Sequence, residues 1–364
     1  MNTSTYQAPD FHRPPFDRAP EARFEPLPAD GVLPEGFFST SNLPTYLHVG
    51  RDWLMPTRPR MDCVVAKRGS GLETIEPRRL KKGEFVAMGE AEDGSEGIYV
   101  HAEGFLGGSH SANEFRFMST EVSRERPVNY EELAARLGEE KKRGGYLVWV
   151  AGPALVHSRA RGDFEWFIRN GYVQAVLAGN AVAVHDIEAA IYGTTLGMTS
   201  TGQPTDGGHG LHMRAINRVR ALGSIEKAVE TGLVKSGIMH ALVMHRVPYV
   251  LAGSIRDDGP LPGVDSDSLE AQNAMREHAV RATGAILVAS ALHSIAVGNM
   301  LPAFHTHYQG IPTPLMTICV DQTEFVVNKL KDRGTHQAYG VVTNAQDFMH
   351  VLRFYLEKWA QATS

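Results

Sequence analysis

From Gly145 to Asn344 the chain alternates short, near-continuous apolar runs with longer amphipathic stretches, a pattern that few folds accept. The runs are GYLVWVAG, YVQAVLAG, PYVLAGS, AILVASAL, MTICVD and AYGVVTN. A strand with one wet face alternates apolar and polar side chains, so a run that is apolar throughout belongs to a strand covered on both faces. Between the runs lie ARGDFEWFIRNG, HDIEAAIYG, LHMRAINRVRALG, SLEAQNAMREHAVRATG and TEFVVNKLKDRG, with apolar residues at helical spacing. Strand, helix, strand repetition calls for right-handed crossovers within one parallel sheet. The fold expected is therefore α/β, a doubly wound and mostly parallel Rossmann-like sheet.

Upstream the pattern differs, and three regions are expected. Residues 1–40 are Pro-rich with isolated aromatics (Phe11, Phe16, Phe24, Phe37), which reads as an arm. Residues 41–128 read as a small β-rich domain, from the segments DCVVAK, GEFVAMGE, EGIYVHA and NEFRFMST set between Gly and charged turns. Residues 129–364 form the α/β domain, opened by the helix EELAARLGEEKKRGG with a Gly pair at its C-cap. A net charge of -5 offers no basic surplus for a nucleic acid backbone. No apolar stretch approaches the ~20 residues that cross a bilayer, so a soluble, cytoplasmic protein without a membrane partner is expected. Cys63 and Cys319 lack CxxC spacing, which suits a reducing compartment.

In doubly wound sheets ligands bind beyond the carboxyl ends of the strands. The residues there are Gly152-Pro153, Gly179-Asn180-Ala181, Gly253 to Gly259, His293-Ser294, Asp321 and Thr343-Asn344. Small residues let a cofactor approach backbone N–H groups, although Gly and Ser also simply make turns. Asp321 ends a strand, where a carboxylate either accepts ribose hydroxyls or caps the next helix. No GxGxxG follows any strand, so phosphate contact is sought elsewhere, at Gly298, Asn299, Met300 and Leu301. For proton transfer the candidates are His185 and Asp186, placed by sequence at the ligand edge, and Asp257. Arg256 is the candidate clamp for a substrate carboxylate. The His pairs 305/307, 209/212 and 240/245 have no completing carboxylate, so no metal is expected.

The motifs STSNLPTYLHVGRDW, MDCVVA, FRFMSTEVSRERP, VAGPALVHS, LAGNAVAVHDIEAAIYGTTLG, GGHGLHMRAIN, GSIEKAVETGLVKSGIM, VPYVLAGSIRDDGPLPGV, LHSIAVGNMLP and ICVD resemble the archaeal-type ornithine cyclodeaminase family. That family carries the conserved region labelled from lysine-ketoglutarate reductase/saccharopine dehydrogenase, and includes the C-terminal part of cyanobacterial arginine dihydrolase/ornithine cyclodeaminase. The resemblance runs from about Ser39 to Phe348. It implies a deoxyhypusine-synthase-like Rossmann variant and a retained NAD. Cofactor roles would fall on Asn180, Ala181, Asp258, Gly298, Asn299, Met300, Leu301, Asp321, Thr343 and Asn344.

The activity implied is conversion of L-ornithine to L-proline and ammonia, with hydride leaving the α-carbon for NAD and returning to the cyclic imine. Two features depart from the family: no arginine dihydrolase segment accompanies the chain, and AFHTHYQGIPTPLM before ICVD is longer. Alternatives are an opine or amino-acid dehydrogenase, an aminoalkyl transferase like deoxyhypusine synthase, or a non-catalytic NAD-binding regulator. A β domain and an arm attached to a parallel sheet also favour a homo-oligomer.

Overall fold

The computed structural model describes residues 6–105, 128–199, 201–255, 260–288, 290–323 and 338–363. These fall into two compact units, one holding residues up to 105 together with 299–315, the other holding 128–298, 316–323 and 338–363.

The first unit is built on β1 (Arg23–Pro26), β2 (Thr45–Val49), β3 (Asp52–Leu54), β4 (Val64–Arg68), β5 (Gly71–Ile75), β6 (Phe85–Met88) and β7 (Ile98–Val100). They form a four-stranded antiparallel sheet, β1-β6-β4-β5, and a three-stranded one, β3-β2-β7. The two-residue period of a strand is visible in the core: Val65 and Ala87 pack with Phe38, Leu47 and Ile98, whereas Val64, Ala66, Val86 and Met88 pack with Leu27 and Leu80. DCVVAK, GEFVAMGE and EGIYVHA thus supply β4, β6 and β7, while NEFRFMST lies outside the described residues. The Pro-rich stretch supplies β1 and an aromatic cluster in which Phe11 stacks on Trp53 at 4.8 Å.

His305 also belongs to this unit and is buried, its Nδ1 accepting the His307 N–H at 3.3 Å. Burial, aided by His307, pushes its pKa down to about 4 from an ordinary 6.5. On acidification an unfolded chain takes up this proton first, so the folded unit should lose stability from about pH 6.5 down to about pH 4, with no further loss from this group below that. Urea midpoints measured across that window should flatten in His305→Gln; an unchanged slope in the variant would remove His305 as the cause.

The second unit carries β8 (Leu147–Ala151), β9 (Ala175–Gly179), β10 (Thr194–Thr195), β11 (Met198–Thr199), β12 (Tyr249–Ala252), β13 (Val264–Asp265) and β14 (Gly284–Val288). Beyond β15 (Phe304–His305) and β16 (Thr313–Pro314), a hairpin pair of the first unit, come β17 (Met316–Asp321) and β18 (Ala338–Val342). The six apolar runs are β8, β9, β12, β14, β17 and β18, and all lie parallel in one seven-stranded sheet ordered β13-β12-β9-β8-β14-β17-β18. Every residue of β8, β9 and β14 is buried, as their unbroken apolar character requires. Counted in chain order, the six run 3-2-1-4-5-6, the Rossmann order, which reverses between β8 and β14.

The helices are α1 (Tyr130–Lys142), α2 (Ala154–His157), α3 (Arg161–Arg169), α4 (Asn180–Tyr192), α5 (Leu211–Leu222), α6 (Ile225–Glu230), α7 (Ile238–Met244), α8 (Ser268–Ala279), α9 (Ala291–Met300) and α10 (Ala345–Thr363). Four of the expected helical stretches are α3, α4, α5 and α8, while TEFVVNKLKDRG lies, beyond Thr323, outside the described residues. On one face of the sheet, reached by alternate residues such as Leu147, Trp149 and Ala151, the core gathers around Trp149, Phe164, Phe167 and Phe348, all fully buried. Trp149 Nε1 donates to Tyr172 O at 2.8 Å, satisfying the one polar atom such a side chain brings inside. Helix α10 was not foreseen; it packs on α1 where Gly138 leaves room for the Trp359 ring.

Candidate functional site

The register of the sheet brings its turns to one edge. Ala151 pairs with Val288, Ala178 with Leu251, and Asp321 with Val342, so Gly152, Gly179, Gly253, Asp321 and Thr343 follow or end their strands along a common rim. The crevice of such a sheet opens where the order reverses, between the turn after β8 and the turn after β14. Gly152 N donates to Val288 O at 2.9 Å and closes the first turn. Across the crevice Ser290 opens α9, its hydroxyl accepting the His293 N–H at 3.3 Å.

Asn180 and Ala181 begin α4 directly after β9. Asn180 is buried and its Oδ1 accepts the Leu261 N–H at 3.2 Å; Ala181 is exposed. At the other end of the rim, Asp321 Oδ1 accepts both N–H and O–H of Thr323 at 2.8 Å, while its carbonyl accepts the Thr343 N–H at 3.1 Å. Asn344 caps α10 by accepting the Asp347 N–H at 2.8 Å and donating to Asp347 Oδ2 at 2.6 Å. Asn180, Ala181, Asp321, Thr343 and Asn344 therefore share the rim. From β9 to β17 is three strand spacings, about 14 Å, so one ligand touching both ends must be elongated, as a dinucleotide is and a free amino acid is not.

Gly298, Asn299 and Met300 form the last turn of α9, with Leu301 after it. They are not the phosphate-binding loop expected of them, because the C-terminal turn of a helix presents carbonyl oxygens and repels anions. Asn299 nonetheless buries an Oδ1 with no hydrogen-bond partner, an arrangement that a ligand's donor would relieve. Arg256, Asp257 and Asp258 lie outside the described residues.

His185 and Asp186 are neighbours in sequence but diverge on α4, so they do not both reach the rim as expected. Asp186 is fully buried and faces α3 and α7. Its Oδ1 accepts from Arg161 Nε at 2.6 Å and from Ile238 N at 2.9 Å; its Oδ2 accepts from Met239 N at 2.8 Å. A carboxylate so enclosed holds α3 and the start of α7 together, a positioning role. Gly237 completes the clamp at φ +105° and ψ -174°, where a Cβ would strike both the Arg161 guanidinium and Asp186 Oδ1.

His185 stands five residues into α4, about 7.5 Å along the axis from Asn180. Its ring lies 4.7 Å from that of His157, and its buried Nδ1 is 3.7 Å from Glu188 Oε2, beyond hydrogen-bond reach. Glu188 is fully buried and accepts from Thr194 Oγ1 and Gly197 N at 2.9 Å and from Leu196 N at 3.0 Å, holding the β10–β11 hairpin to α4. Burial opposes its ionisation, but His185 and these donors outweigh it and keep the carboxyl below the ordinary glutamate range.

One rim residue was named in the sequence only by its position, without a role. His293, in the first turn of α9, lays its ring against Gly179, and its Nδ1 is 3.0 Å from Ser290 Oγ. Burial lowers its pKa below the ordinary histidine value. The signal available was Ser290-x-x-His293 following an apolar run. Among the described residues no three His, Cys, Asp or Glu come together to hold a metal, and no helix is long and apolar enough to cross a membrane.

Comparison with known proteins adds the relationship. Residues 131–352 match the family described as arginine dihydrolase ArgZ-like, C-terminal, Rossmann fold, and residues 44–131 match its companion first region. A Methanopyrus kandleri protein named ornithine cyclodeaminase is 43% identical over 337 residues, covering 90% of this chain and 77% of that protein. Among solved structures, a conserved LOR/SDH protein from Methanococcus maripaludis S2 superposes with a TM-score of 0.83 at 40% identity, over 94% of this chain and 99% of that one. A ternary complex of AgrE with ornithine and NAD+ superposes with a TM-score of 0.60 at 36% identity, over 95% of this chain and 47% of the larger protein. The chain therefore belongs to the ArgZ-like C-terminal family, whose members include the archaeal proteins named ornithine cyclodeaminase.

Proposed function

We propose that the protein is an NAD-dependent ornithine cyclodeaminase, forming L-proline and ammonia from L-ornithine. The observation that carries this reading is its relation, along 95% of its length, to a protein solved with ornithine and NAD+. The elongated rim and the orphaned Asn299 Oδ1 support it from this chain's own residues.

When bound, NAD supplies oxidation at the α-carbon and gives the hydride back to the ring imine, so no net redox change results. The start of α4 at Asn180 and Ala181 offers backbone N–H groups at one end of the rim. Asp321 at the other end accepts ribose hydroxyls, with Thr343 and Asn344 beside it. Asn299 meets a polar group of the cofactor, while Gly298, Met300 and Leu301 contact its less charged parts. Asp258 completes the cofactor set, and Arg256 and Asp257 receive the substrate's carboxylate and ammonium. Asp186 positions and does not shuttle protons.

Ornithinium balances against proline plus ammonium, so the purified protein with NAD should release one ammonia per proline without accumulating NADH. Ammonia and proline assays alongside absorbance of NADH check this. Net NADH would instead identify a dehydrogenase, and absence of ammonia would remove ornithine as substrate.

A further inference from the structure

We propose that His293 is a catalytic residue that carries protons to and from the amino groups of the substrate at the mouth of the crevice. The inference rests on the reading above and gives a role to a residue that the sequence placed at the ligand edge without assigning it one.

Its first support is placement. His293 rises from the turn after β14, and its ring reaches Gly179 at the end of β9. Strand β8 lies between those two, so the imidazole spans the carboxyl end of β8, where the strand order reverses.

The second support is Gly179 itself. Its backbone has φ -92° and ψ 162°, extended geometry open to any residue, so conformation does not require glycine there. A Cβ at Gly179 would stand 2.7 Å from His293 Cε1, and the three atoms nearest to it all belong to the imidazole. The missing side chain makes room for this ring.

The third is the polarity of the ring. Ser290 Oγ has two lone pairs, enough to accept the His293 backbone N–H at 3.3 Å and Nδ1–H at 3.0 Å. In the tautomer that carries its proton on Nδ1, Nε2 keeps its lone pair and makes no hydrogen bond among the described residues. Burial is the cause that lowers its pKa, with no charged neighbour contributing, so near neutral pH the ring is a free base able to accept a proton.

The chemistry balances. Nε2 takes a proton from the α-ammonium, leaving the neutral amine that can be oxidised to an imine. The imidazolium returns that proton to the α-nitrogen, the δ-ammonium gives up a second one to it as the δ-nitrogen attacks, and the α-nitrogen leaves as ammonium while the ring returns to its starting state.

The test uses the full chain with His293→Gln and Gly179→Ala, the second pushing the ring aside without touching its chemistry. Both should bind NAD as the unaltered protein does, yet release ammonia from ornithine roughly 10²-fold more slowly or worse. His293→Gln should also lose the acidic limb of the kcat/KM profile. A wild-type rate and limb in His293→Gln would overturn the proposal, as would loss of NAD binding in that variant, which would make His293 a cofactor contact. The imidazole resonance assigned by its absence in His293→Gln gives an independent readout: it should shift when ornithine is added to the NAD-loaded protein. No shift excludes His293 from the site; a shift with no ammonia from any protein keeps it there and fails the cyclodeaminase reading alone.

Discussion

Asp186→Ala should cost the second unit about 3–5 kcal/mol of stability, the range for removing one partner of a buried ion pair. The carboxylate has no exposed surface, and the Arg161 side chain facing it is 20% exposed. Removing it leaves the Arg161 guanidinium with only Glu165, 3.9 Å away, as counter-charge and withdraws the acceptor from the Ile238 and Met239 amides. Nothing else can take over at α7: its cap, Gly237, has no side chain to offer. Asp186→Asn keeps acceptor oxygen but loses charge, so its loss should be intermediate. Thermal and urea unfolding of the three proteins measure the effect. An Asp186→Ala protein that melts with the parent yet has lost activity would return Asp186 to the role of proton shuttle.

Gly237→Ala should act on the same clamp from the other side. At φ +105° and ψ -174° the backbone occupies a region that only glycine visits freely, and holding an alanine there costs of order 1–3 kcal/mol. The new methyl group would also displace the Arg161 guanidinium from Asp186 Oδ1, adding the loss of a charge-assisted hydrogen bond. Because both substitutions break one interaction, the double variant Asp186→Ala/Gly237→Ala should be less destabilised than the sum of the singles. Strict additivity in a double-mutant cycle would mean that Gly237 acts through backbone strain only.

The parallel sheet was legible because burial on both faces leaves an unbroken apolar run, a signal contained within about five residues of chain for each of β8, β9 and β14. Asp321 and Asn344 were legible as positions but not as roles, since an acceptor after a strand serves a ligand or a helix start equally well. Asp186 was misplaced for a different reason. Its partners lie 25 residues before it and 52 and 53 after it, so what it binds is decided by how α3 and α7 pack against α4. His293 was legible as a position but not as a role, because its meaning depends on Gly179, over a hundred positions earlier, and a glycine after a strand first suggests a turn. Gly298 to Leu301 were sought as a phosphate-binding loop because no GxGxxG follows a strand, whereas the apolar stretch before them carries the helix through Met300.

Residues 299–315 leave the second unit, contribute β15 and β16 to the first, and return to enter β17. Within the first unit, Ala303 N donates to Asn42 O at 3.3 Å and Leu315 N to Ala303 O at 3.0 Å. In genetic terms the boundary is an interlock, and no single cut yields both parts whole. A gene truncated near codon 128 would encode a first unit with a notch where that loop belongs, and a second fragment trailing apolar residues such as Phe304 with nothing to cover them. Fragment expression, limited proteolysis and domain grafting must all carry the excursion with its host.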